Sequence, residues 1–453
     1  MKEKLSFSSY LVIGVMLFAL FFGAGNLIFP AQLGQAAGTN LWPSVFGFLI
    51  TGVGLPLLGI LAMGFSGSKN LQELASRVNP IYAVAFTSLL YLTIGPFFAA
   101  PRTGAVAFDI AIAPNIGEDS SKLILFIFTI VFFSISLWFS LKPADIVKNV
   151  GRILAPGIVI LLGILLIVVI INPIGSIQSP LEAYQSGAFT TGFLEGYNTM
   201  DALASLVFGI IVINAIRSMG VTTKKGIMAA TVKSGVIAIS FLGLIYVGIA
   251  YLGAVSTEQF GIFETGGPVL SSAAEYYFGT FGSLLLSIVI ILACLTTNIG
   301  LMTACGEYFH QLLPRFSYRT LVIFFTTVTF VIANFGLSNI ISFSIPVLMF
   351  LYPLAIVLML LTFLSPLFNH SRMVYVLTIA VTFVISFVDG LKSLYSSLGI
   401  TGYGFFQPLV SYFEEVLPFY ENGLGWLAPA LVVILITGLI AKLQPRPVEV
   451  LNK

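Results

Sequence analysis

Apolar residues along this chain neither alternate nor fall on one helical stripe; they come in long runs separated by short polar stretches. Twelve runs stand out, at 10–34, 42–64, 80–100, 122–140, 153–171, 194–216, 233–253, 279–304, 320–335, 339–364, 373–388 and 425–441. Most reach the roughly 17–25 residues that carry a helix across a bilayer core; 320–335 and 373–388 are shorter. A membrane β-barrel would instead show alternating segments of about 10 residues. The pattern predicts an all-α polytopic membrane protein with about 12 transmembrane helices, one integral unit over 1–453.

Composition narrows the class. Of 453 residues, 58% are hydrophobic and 8% charged, against about 25% charged in a soluble domain. So few charges cannot cover a soluble surface, which excludes a soluble enzyme, a disordered chain and a disulfide scaffold. The net charge of +2 leaves no basic excess for phosphates, so no nucleic-acid partner is expected; membrane lipid is. With the N-terminus inside, the cytoplasmic loops hold Lys2, Lys4, Lys69, Arg77, Lys142, Lys148, Arg152, Arg217, Lys224, Lys225, Lys233, Arg315, Arg319, Arg372, Lys442, Arg446 and Lys453. Only Arg102, Lys122 and Lys392 of the 20 basic residues then fall outside. The positive-inside rule thus supports an even number of spans with both termini cytoplasmic. The loop 389–424, with Glu414, Glu415 and Glu421, is expected along the outer interface. Lys2 and Lys4 before an apolar run resemble a signal peptide, but the motif in that run argues for its retention. Cys294 and Cys305 would lie about 16 Å apart on one helix, too far to bridge. Nothing in the pattern fixes an oligomeric state.

Two spans are interrupted. The first reads Phe22-Gly23-Ala24-Gly25-Asn26 near its middle. Glycine disfavours helix continuity, and an unwound turn at bilayer depth is tolerated only where it lines a cavity. A half-helix starting near Asn26 would aim N–H groups at that cavity, and one ending near Phe22 would aim carbonyls. The simpler reading, close packing of a neighbouring helix on Gly23 and Gly25, stays open. The sixth span carries Gly196-Tyr197-Asn198-Thr199-Met200-Asp201. Five spans separate the interruptions, as in an inverted repeat of a secondary transporter. The expected repeats are 8–171 and 190–364, with accessory helices in 372–443.

The eighth span holds Ala293-Cys294-Leu295-Thr296-Thr297-Asn298. Adjacent threonines point in different directions, which argues against both merely bonding their own helix; ordinary intrahelical bonding is the alternative. Hydroxyls and carbonyls together suit a hard cation.

Phe21-Phe22-Gly23-Ala24-Gly25-Asn26-Leu27-Ile28-Phe29-Pro30 and Ile94-Gly95-Pro96-Phe97-Phe98-Ala99-Ala100-Pro101-Arg102-Thr103, with Thr51-Gly52-Val53-Gly54-Leu55-Pro56 and the 196–201 run, resemble the signatures of bacterial branched-chain amino acid:cation symporters. The resemblance covers the chain. It implies a leucine-transporter-type fold in a bacterial plasma membrane and uptake of leucine, isoleucine and valine, most simply with Na⁺ and alternatively with H⁺. No other cofactor is expected. It further implies substrate contacts at Gly23, Ala24, Gly25, Asn26, Asn198, Thr199 and Asp201. The cation site of sodium-coupled relatives would fall on Ala19, Phe22, Ala293, Thr296 and Thr297. A second sodium site would need an asparagine in span 7, which has none.

Other polar residues divide between roles. Arg102 is expected just beyond span 3, as an outer gate, a lure for the substrate carboxylate or an interfacial anchor, with Asp109 a candidate partner. Asp201 is the only acid expected at bilayer depth, a functional candidate on that ground. It would face the substrate ammonium, carry a proton, or accept backbone N–H bonds at the start of a half-helix. His310 and His370 are expected in cytoplasmic loops, and Pro346 and Pro353 kink span 10. No nucleophile–base pair or metal cluster points to an enzyme. A channel would more simply be a smaller chain repeated around an axis.

Overall fold

The computed structural model describes residues 5–116, 118–141, 146–400 and 402–443. Lys2, Lys4, Lys142, Arg446 and Lys453, part of the basic set above, lie outside these residues. Among the described residues there is no β-strand. The first span is two helices, α1 (Phe7–Phe21) and α2 (Ala24–Ala37); the second is α3 (Leu41–Leu49) and α4 (Leu55–Ser66) across a π turn at Ile50–Gly54. A short α5 (Leu71–Ala75) leads to the third span, α6 (Pro80–Leu92) and α7 (Ala99–Ala111). Then come α8 (Glu118–Ser140), α9 (Ile146–Ile171), α10 (Glu182–Gln185), and the sixth span as α11 (Ala188–Glu195) and α12 (Asp201–Ser218). The remainder is α13 (Lys224–Phe260), α14 (Gly267–Leu312), α15 (Tyr318–Ala333), α16 (Leu337–Leu364), α17 (Arg372–Ser397), α18 (Gln407–Val416) and α19 (Leu427–Leu443).

Several helices run past their expected ends. Span 3 was expected to stop near residue 100. Instead a π turn at Thr93–Phe97 absorbs the missing proline N–H, with Gly95 at φ −90°, ψ −119°, and the helix resumes to Ala111. Span 11 continues to Ser397, so Asp389 and Lys392 belong to a helix rather than to a loop. Polar caps start others: Asn79 accepts from the Ile81 N–H at 2.8 Å before Pro80, and Thr223 accepts from the Gly226 N–H at 3.1 Å.

The packing repeats under exchange of the first five spans for the next five. The first span packs on the seventh through α1, α2 and α13, and the sixth packs on the second through α11, α12, α3 and α4. The third and eighth spans, α7 and α14, pack on each other; α17 lies against α16, and α19 against α17.

Glycines make these seams close, in reciprocal pairs. A methyl on Gly34 would strike the Ala250 carbonyl, and one on Gly253 the Ala31 carbonyl, both between α2 and α13. In the corresponding α3–α11 seam, Gly47 meets the Phe189 carbonyl and Gly192 the Ser44 carbonyl. In lipid, such backbone-close packing replaces the hydrophobic drive that water would supply. Gly34→Ala must therefore part α2 from α13 and is expected to destabilise the protein by about 1–3 kcal/mol, read as a lower Tm in detergent. Gly163→Ala in α9, where a methyl meets open space, should hold or raise the Tm; equal losses in both would count against the seam.

Candidate functional site

Helix α1 stops at Phe21, and the Phe22 N–H still reaches the Phe18 carbonyl at 2.7 Å. Gly23 is extended (φ −125°, ψ −164°) and α2 begins at Ala24, so the first interruption is a two-residue break. The Gly23 N–H donates to Asn26 Oδ1 at 2.8 Å. Asn26, 1% exposed, then faces the other way with its amide. Its Nδ2 donates to Asp201 Oδ2 at 2.6 Å and to the Tyr246 hydroxyl of α13. Tyr246 in turn donates to the same carboxylate oxygen at 2.7 Å.

The sixth span breaks at a 3₁₀ turn over Gly196–Thr199, followed by Met200 in the left-handed region at φ 62°. A buried non-glycine residue there costs of order 1–3 kcal/mol and persists only where its surroundings demand it. The Thr199 hydroxyl donates to the Gly196 carbonyl at 2.9 Å and accepts from the Asp201 N–H at 3.3 Å. Asn198 donates to Glu195 Oε2 at 2.9 Å. Tyr197 stacks on Tyr352 of α16, with ring centroids 4.1 Å apart. Asp201 heads α12, where the helix dipole favours its charge. Its carboxylate, however, accepts from side chains of α2 and α13. Of the three roles expected for Asp201, backbone capping is the one these bonds do not supply; the carboxylate instead bridges the two broken spans.

Arg102 departs most from expectation. Because span 3 continues through its π turn, Arg102 lies inside the bundle on α7, 2% exposed, and not at an interface. Its Nη1 donates to the Asn198 carbonyl at 2.5 Å and its Nη2 to Ser344 Oγ of α16 at 3.1 Å. The guanidinium carbon sits 4.8 Å over the Phe29 ring of α2. Asp109 is not its partner; it accepts from Thr265 Oγ1 at 2.5 Å. Nor is Asp201 the only buried acid, since Asp389 of α17 is 8% exposed.

The expected cation ligands sit beside the first break. A methyl on Gly23 would come within 3.2 Å of Thr297 Cγ2 and 3.6 Å of its Oγ1, so α14 lies against the point where α1 ends. Ala19 and Phe22 lie at that end of α1. Both threonines nevertheless bond their own helix: Thr296 and Thr297 donate to the Ala293 carbonyl at 2.9 and 3.0 Å. The argument from their different directions fails, because one carbonyl serves residues three and four places on. Two hydroxyls and a carbonyl are thereby gathered at one spot next to Gly23.

A family model described as branched-chain amino acid transport protein matches residues 6–444. This chain belongs to that family. Branched-chain amino acid permease BrnQ of Bacillus subtilis is 47% identical over 95% of this chain and 96% of its own length. Permease BraB of the same organism is 45% identical over the whole of both chains, and Escherichia coli BrnQ 38% over 96% of each. These relatives are permeases, not enzymes. Among solved structures, the inward-facing conformation of Mhp1 aligns with a TM-score of 0.58 at 15% identity, covering 85% of this chain and 88% of that one. MhsT in complex with L-phenylalanine aligns with 0.56 at 14% identity, over 97% and 99%. The fold is the leucine-transporter type.

Tyr246 was not legible as a site residue, since a tyrosine in an apolar span signals nothing by itself. Its hydroxyl is the only donor from α13 to the Asp201 carboxylate in the structure described. A hydrogen bond to a charged group contributes about 1.5–3 kcal/mol, so Tyr246→Phe, which leaves the buried Asp201 carboxylate one donor short in the substrate-free protein, should lower the Tm and, if Tyr246 holds that carboxylate for substrate, raise the transport KM as well. A KM within twofold of the parent would remove Tyr246 from the site.

Proposed function

We propose that this protein is a secondary symporter that imports leucine, isoleucine and valine with a cation, Na⁺, by alternating access. The observation that carries the reading is the buried Asn26–Asp201–Tyr246 cluster, which ties together the two broken half-helices. Broken spans in corresponding places of two halves are where secondary transporters bind substrate. The family assignment supports the substrate class. A branched apolar tail needs only an oily surround, and Phe29 and Ala24 are buried beside the break. In this reading 8–171 and 190–364 are the two repeats, 372–443 is accessory, and both termini face the cytoplasm of a bacterial cell.

Sodium is favoured by the Thr296, Thr297 and Ala293 oxygens beside Gly23, which with the Ala19 and Phe22 carbonyls make the oxygen-only set a hard cation requires. Proton coupling is the second reading, favoured by the buried carboxyl of Asp201. Uptake of labelled leucine into proteoliposomes, under Na⁺ and pH gradients imposed separately, distinguishes them. Sodium coupling predicts concentrative uptake under the Na⁺ gradient alone. It also predicts that replacing both threonines with alanine raises the sodium concentration for half-activation by about tenfold or more, since each lost ligand is worth about 1 kcal/mol or above. Unchanged sodium activation in the double variant would sink the cation site, and uptake driven by pH alone would transfer the coupling role to Asp201.

A further inference from the structure

Two opposite formal charges, Arg102 and Asp201, are buried against the start of α2 and form no ion pair with each other. Arg102 keeps its proton in any protein environment, and burial of a lone charge is costly. Of its N–H donors, one meets a backbone carbonyl and one a serine hydroxyl, while its Nε–H has no partner. Among the described residues the ion pair present is Lys392–Glu414, away from this site. The guanidinium therefore has neutral partners where an anion would bind more strongly. Asp201 is the complementary case, a buried carboxylate whose Oδ2 accepts from a neutral amide and a neutral hydroxyl.

The start of α2 touches both: Gly25 lies beside Arg102 and Asn26 bonds Asp201. A methyl on Gly25 would sit 3.5 Å from Arg102 Nη1 and 3.3 Å from the Phe29 ring. Gly25 thus lies directly beside the guanidinium with no side chain of its own between the break and Arg102. One of the break's own amides is closed to an anion, because the Gly23 N–H is already taken by Asn26.

We propose that Arg102 receives the α-carboxylate of the substrate and Asp201 its α-ammonium, so that this unpaired charge couple reads the zwitterion. This rests on the amino-acid transport reading above and assigns its polar recognition to side chains of α7 and α12. The arrangement selects for both charges at once. An amine without a carboxylate leaves Arg102 unanswered, and a carboxylate without an amine leaves Asp201 unanswered. Sites built to meet a polar group reject the analogue that lacks it by large factors, because the site's own group is left buried and unpaired.

The test is competition against labelled leucine on the purified full-length protein. Leucinamide supplies the ammonium without the carboxylate, and 4-methyl-2-oxopentanoate the carboxylate without the ammonium. Both are expected to bind at least about 100-fold more weakly than leucine. Arg102→Gln should weaken leucine about 100-fold and leave leucinamide, measured by its own thermal shift, unchanged or stronger. Asp201→Asn should do the same for leucine against the keto acid. Equal loss of leucine and leucinamide in Arg102→Gln, or leucine binding within threefold of the parent, would overturn the assignment. Alanine and alaninamide run in parallel separate the two layers. A parent protein that binds alanine in place of leucine overturns only the branched-chain reading, and the crossover on alaninamide then supports the charge couple. A parent that binds neither amino acid overturns both.

Discussion

Lipid offers no hydrogen bond, so each amide and carbonyl freed where a membrane helix unwinds must be met inside the protein. The centre of this molecule is organised by that requirement. At the first break the Gly23 N–H is met by Asn26; at the second, the Gly196 carbonyl is met by Thr199 and the Asn198 carbonyl by Arg102. Each break is met first by a polar side chain of its own span, and further contacts then tie it to other spans. Asn26 of the first span reaches Asp201 of the sixth, and Arg102 of the third reaches Asn198 of the sixth. The two breaks are tied to each other through the Asn26–Asp201 hydrogen bond, and the same side chains carry the proposed substrate site.

The glycine seams serve the same end at longer range. Gly34 and Gly253 bring α2 onto α13 at backbone distance, and Tyr246 lies on α13 within reach of Asn26 and Asp201. On the other half, Gly196 sits against Thr51 in the π turn of the second span, and Thr51 Oγ1 donates to the Phe193 carbonyl at 2.7 Å. π turns insert an extra residue and leave a weak point in the helical ladder. The seams hold helices at backbone distance beside the breaks, and the π turns at Ile50–Gly54 and Thr93–Phe97 interrupt the regular helix of spans 2 and 3.

What the sequence disclosed follows from what periodicity can carry. Spans and breaks were legible, because apolar run length and clustered glycines are local signals: α1 and α2 part at Phe22–Gly23, and the sixth span parts at 196–200. Asn26 and Asp201 were legible as polar groups at bilayer depth. Arg102 was misplaced because the apolar run thins near residue 100, whereas the helix resumes after the π turn at Thr93–Phe97 and carries the arginine inward. The threonines were misjudged because direction along a helix does not exclude a shared carbonyl at i−3 and i−4. Tyr246 and Asp389 needed the fold itself. No local pattern states which helix a tyrosine will face or that span 11 runs on to Ser397.

One further consequence concerns coupling. Gly23 is touched from two sides, by Asn26 through its N–H and by Thr297 across the seam to α14. In the proposed sodium reading, a cation bound among Ala19, Phe22, Ala293, Thr296 and Thr297 would take lone pairs of the two Thr hydroxyls and fix the Phe22 carbonyl, which belongs to the same peptide as the N–H that Asn26 holds. Asn26 is also a ligand of Asp201. Cation and substrate would then act on one short piece of backbone, and whichever bound first would order it for the other. Linkage makes that benefit equal in both directions, which is the thermodynamic content of symport, and it requires no path longer than Thr297–Gly23–Asn26–Asp201.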